Sequence, residues 1–80
     1  MPLVFHSLDA LNPGERARIV RHHATGAVRQ RLMDLGLMPD AQLELVRVAP
    51  LGDPIEVRVG ACSVVMRRRE AASVEVCRDV

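Results

Sequence analysis

An 80-residue chain has room for one hydrophobic core, and 49% hydrophobic with 26% charged side chains is the composition of a folded domain rather than a disordered tail. The net charge of +1, from 11 basic and 10 acidic residues, supplies no field strong enough to hold nucleic acid or an anionic membrane surface. With no Trp, no Tyr and one Phe, the chain lacks both the aromatic groove that grips proline-rich peptides and the stacking platforms that hold single-stranded nucleic acid.

Every basic side chain is Arg. Arg forms flat bidentate contacts that Lys cannot, but a genome-wide codon bias would give the same composition without any site. Cys62 and Cys77 are too few to frame a disulfide scaffold, so unpaired thiols in a reducing compartment are expected. The start, MPLVFHSLDAL, has no basic segment, and its apolar run covers only Leu3 to Phe5. No apolar run approaches membrane-spanning length, so a soluble, cytoplasmic protein without membrane insertion is expected.

Taken in chain order, Leu8 and Leu11 are spaced i, i+3, which predicts one helical turn over Ser7–Asn12 with Ser7 as its cap. Pro13-Gly14 breaks it, in the pattern of a type II turn. Glu15–His22 alternates as a strand, with Ala17 and Ile19 on one face and Arg16 and Arg18 on the other. From Thr25 the period becomes helical, with Val28, Leu32 and Leu35 on one face. Gly36 sits where a left-handed residue would end that helix, Leu37 can fold back on its last turn, and Pro39 forbids continuation.

Ala41–Ala49 reads as a strand whose apolar set shifts from Leu43 and Leu45 to Val46 and Val48, which predicts a bulge near Leu45–Val46. Pro50–Pro54 is a tight loop. Ile55–Val59 is a strand, Gly60-Ala61 a type II′ hairpin turn, and Cys62–Arg67 the partner strand. Glu70–Ser73 is a short turn before a last strand marked by Val74 and Val76. Five short strands and one short helical insertion make a mainly β fold, a small barrel in which closure removes the edges of the sheet.

No Gly-rich phosphate loop, nucleophile elbow or triad spacing is present, so an enzyme is not expected. His22 and His23 are adjacent and on a strand face opposite ways, and nothing resembles the paired ligands of a zinc site, so neither a metal nor another cofactor is expected. Arg29 and Arg31 on the helix, with Arg67 to Arg69, either form a basic patch or are solvated charges offsetting Asp34 and Glu70. Leu37-Met38-Pro39 and Ala49-Pro50-Leu51 place large apolar groups at turns. They either cap the barrel or lie exposed as an apolar patch for a protein partner.

Three segments carry a resemblance. RQRLMDLGLMPD (Arg29–Asp40), VRVAPLGDPI (Val46–Ile55) and MRRREA (Met66–Ala71) resemble the FeoA family, whose small cytosolic members accompany the bacterial ferrous iron transporter FeoB. RVAPLGDPI is the most specific, and the likeness runs from Leu8 to Val76, within one domain over residues 1–80. It implies an SH3-like β-barrel with a helical insertion and a non-enzymatic accessory role in contact with the cytosolic G-protein region of FeoB. A related domain ends some metal-dependent repressors, which implies an alternative role in binding a transition metal or a repressor. The expected contact surface comprises Arg29, Arg31, Leu37 and Met38 with Pro50, Leu51, Gly52 and Asp53. An exposed edge strand or apolar patch would also allow self-association. The family usually has Gly where this chain has Asp40, so the turn is either type I here or strained.

Overall fold

The structure, a computed structural model, describes residues 3–79. Its strands are β1 (Leu3–Ser7), β2 (Arg16–His22), β3 (Gln42–Val48), β4 (Ile55–Val59), β5 (Cys62–Met66) and β6 (Val74–Asp79), all paired antiparallel in the order β1-β6-β2-β3-β4-β5. A 3-10 turn (Leu8–Ala10) follows β1, α1 (Gly26–Asp34) crosses from β2 to β3, and α2 (Arg68–Ala71) joins β5 to β6.

The fold is the expected mainly β one, with one strand more. β1 is hydrogen-bonded to β6, with Phe5 opposite Cys77, a partner at the far end of the chain that no local pattern announces. The expected full closure of the barrel is corrected as well. The ladder ends at β1 and β5, so among the described residues the sheet wraps the core without a continuous hydrogen-bonded seam. Its edge strand β5 exposes Cys62, Ser63 and Val65.

Alternation puts one face of β2 to β6 into a single cluster. Ala17 and Ile19 enter from β2, Leu43 and Leu45 from β3, Ile55 and Val57 from β4, Val64 and Met66 from β5, and Val74 and Val76 from β6. Leu8 and Leu11 close one side of it from the 3-10 turn, whose expected Ser7 cap is replaced by a Ser7 Oγ–H bond to Asp9 Oδ1 (2.5 Å). Two bulges bend the sheet. The β3/β4 register shifts between Leu45 and Arg47, as expected, and the β2/β6 register shifts between Ile19 and Arg21.

The turns follow the chemistry of their residues. Glu15 N–H bonds Asn12 O (3.0 Å) across Pro13-Gly14, with Gly14 at φ +90°, a type II turn. Asn12 N–H returns a bond to Glu15 Oε1 (2.6 Å), which holds that carboxyl below the usual carboxylate range, with Arg78 adding to the effect. Gly60 has φ +60° while Ala61 does not share a positive φ, which is the type II′ form expected.

Asp40 resolves the alternative posed by its sequence. Ala41 N–H bonds Met38 O (3.0 Å) and Asp40 lies at φ +73°, so the turn is type II with an L-residue in the left-handed region. Its N–H also bonds Ile19 O (2.8 Å), which pins the turn to β2. Asp tolerates this region better than most residues, and Gly would relieve the strain while loosening the unfolded chain. Asp40→Gly is therefore expected to be neutral or to stabilise by up to about 1 kcal/mol. A fall in Tm on thermal denaturation would contradict the strain.

Candidate partner-binding surface

The helix α1 ends in a Schellman motif. Leu37 N–H bonds Leu32 O (3.0 Å), Gly36 N–H bonds Met33 O (3.0 Å), and Gly36 has φ +96°. The motif turns Leu37 back onto Leu32, and both are fully buried in the core. His22 Nε2–H donates to Leu37 O and fixes the chain as it leaves the helix. This corrects the expected surface, because a Leu37 side chain with 0% exposure offers a partner no contact area. The neighbouring Met38 is about half exposed.

The other two motif segments meet at α2. Ala49–Gly52 is a β-turn closed by Gly52 N–H to Ala49 O (2.8 Å), with Pro50 at its second position and Leu51 at its tip. Arg68 binds this loop through both backbone and side chain. Its N–H donates to Asp53 Oδ1 (3.0 Å), its Nε–H to Gly52 O (2.5 Å), and its Nη1 reaches Asp9 O (2.6 Å) beside the 3-10 turn. Glu70 accepts from Arg67 N–H (3.1 Å) through Oε1, and its other oxygen pairs with Arg31 of α1. One short helix thereby links residues of all three motif segments.

Of the expected residues, Arg31, Gly52 and Asp53 are thus joined through α2, and part of their chemistry is spent on the fold. Pro50 is exposed, and Leu51 is 98% exposed, a large apolar side chain held out on a turn whose base is fixed. Arg29 and Met38 are exposed but make no hydrogen bond or ion pair to this cluster among the described residues. Sequence reasoning missed the stapling role of Arg68. It stands between two further arginines, Arg67 and Arg69, and only tertiary placement tells them apart. Among the described residues no three His, Cys, Asp or Glu side chains converge to hold a metal ion, and no helix is long and apolar enough to cross a membrane.

A six-stranded antiparallel sheet curled round one core, with its loops tied to a four-residue helix, defines a small SH3-like β domain. The FeoA domain family matches residues 6–78, and the chain belongs to that family. It is 36% identical over 69 residues to the Fe(2+) transport protein A/Fe(2+) transporter FeoB fusion protein of Porphyromonas gingivalis, covering 86% of this chain and 8% of that protein. The solution structure of the FeoA protein from Chlorobium tepidum superposes with a TM-score of 0.84 at 48% identity, covering 89% of this chain and 68% of that one. The zinc-complexed FeoA of Stenotrophomonas maltophilia, described as a prokaryotic SH3 domain protein, superposes with a TM-score of 0.78 at 29% identity over 89% of this chain and 88% of that one. The same fold also recurs in 40% of a manganese-dependent transcriptional repressor, at 18% identity and a TM-score of 0.81 over 90% of this chain.

Proposed function

We propose that this chain is a non-enzymatic cytosolic accessory of ferrous iron uptake that binds the cytosolic G-protein region of a FeoB-type transporter and tunes its activity. The observation that carries this reading is the Porphyromonas gingivalis fusion, in which a segment 36% identical to this chain belongs to one polypeptide with FeoB. A covalent link keeps two domains at high effective concentration, which favours contact between them and is of little use to domains that act apart.

The surface that suits such a partner is the Pro50–Asp53 loop with Arg29, Arg31 and Met38. Leu51 supplies buried area, and the arginines steer and orient the encounter. Arg68 lowers the entropy lost on binding by holding the loop base in place beforehand. Binding of the purified cytosolic domain of a FeoB partner is expected to weaken at least about tenfold with Leu51→Asp and with Met38→Asp, because an apolar contact becomes a buried charge. Both residues are exposed, so the circular dichroism spectrum and Tm should stay close to the parent's. Unchanged affinity in both variants would show that the surface is wrongly placed.

A further inference from the structure

A second feature shares no residue with the loop surface. Residues of β2, β3, β4 and β6 line an open groove of about 800 Å³. Arg16, Arg18, Arg58 and Arg78 line it against a single Glu44. Arg78 is held by Glu15, which leaves three guanidinium groups facing one carboxylate. Such an excess stands out in a chain whose net charge is only +1.

Strand register sets the spacing of these charges. Arg16 pairs across with Glu44, and Glu44 with Arg58, so the three form one row across β2, β3 and β4. Glu44 Oε1 is shared between Arg16 Nε (3.6 Å) and Arg58 Nη1 (3.8 Å). Both distances are too long for hydrogen bonds, and the donors of both arginines keep most of their capacity for another acceptor. Arg18 lies two residues along β2 on the same face, opposite Gln42, and makes no ion pair among the described residues.

We propose that this groove docks an extended acidic segment of a partner protein, with Arg16, Arg18 and Arg58 taking carboxylates from alternate residues. Same-side residues of an extended chain are about 6.8 Å apart, the spacing of Arg16 and Arg18 along their own strand. A peptide laid along β2 would therefore present one carboxylate to each, and Arg58 would take a third from across the groove. The planar fork of Arg suits bidentate carboxylate contacts, and the Gln42 amide can bond a peptide group between them. The groove is far larger than an inorganic anion. It also lacks the aromatic platforms that a nucleic acid strand would need, since the one Phe of the chain is not part of its wall. The inference is independent of the transporter reading.

The test is a titration of the isotopically labelled protein by two-dimensional amide NMR with a capped peptide alternating Glu and Ser. Amide shifts are expected on residues 16–18, 42–44 and 58–60, with no response to the same peptide carrying Gln for Glu. Arg18→Glu should weaken the titration about tenfold, added salt should weaken it too, and Leu51→Asp should leave it unchanged. The spectrum of each variant reports its fold directly. The proposal fails if the acidic peptide causes no shifts or shifts α2 instead, or if Arg18→Glu binds like the parent. It fails equally if inorganic phosphate or a thymidine hexanucleotide binds the groove more tightly than the peptide.

Discussion

Leu37→Ala is expected to destabilise the domain by about 2–5 kcal/mol, whereas Met38→Ala, one residue along, should change stability by no more than about 0.5 kcal/mol. Leu37 is fully buried against Leu32 by the Schellman motif, so truncation removes transfer energy and leaves a cavity beneath the helix end. Met38 points half its surface at solvent and has little to lose. In a domain of this size each kcal/mol moves Tm by about 4–8 °C, so the first variant should melt at least about 8 °C lower. Urea unfolding at unchanged m-value would assign the difference to the native state. A loss below about 1 kcal/mol for Leu37→Ala would mean that the helix end does not pack as described.

That pair also shows where sequence reading divides. The sequence allows Leu37 two destinations, folding back onto α1 or facing a partner, and they exclude one another. The glycine before it decides, because a left-handed Gly36 directs the following residue inward. The bulge at Val46 was legible for a similar reason, since two apolar sets cannot share one pleat without an extra residue. Adjacent Ile19 and Val20 carry the same signature, and the β2 bulge could have been found by the same rule. The strand β1 could not, because its stability comes from pairing with β6 at the other end of the chain. The candidate surface was legible only where exposure follows from local turn chemistry, as at Leu51. The groove on β2–β3–β4 needs the register of three strands before its arginines fall into one row.

Arg68 is the plainest case of information that exists only in three dimensions, and its replacement should have the next largest effect. Arg68→Ala removes the donors to Gly52 O and Asp9 O at once, leaving two partly buried carbonyls without their charged partner. Hydrogen bonds to charged groups contribute about 1.5–3 kcal/mol each, and partial exposure lets water recover some of this, so a net loss of about 2–3 kcal/mol is expected. Arg68→Lys should recover less than half, because one ammonium cannot span two carbonyls as the guanidinium fork does. Arg67→Ala and Arg69→Ala should each lie within about 0.5 kcal/mol of the parent, as exposed charges do. Amide exchange supplies a readout specific to the staple. The Gly52 N–H, protected by its bond to Ala49 O, should exchange faster in Arg68→Ala while the β3–β4 ladder keeps its protection. Under the proposed docking on a FeoB-type transporter, a loosened loop must be ordered again on binding, so that affinity should fall even though Leu51 itself is intact. If Arg68→Ala behaves like Arg69→Ala in stability and exchange, the loop holds its shape without α2. The meeting of the three motif segments would then be mere proximity.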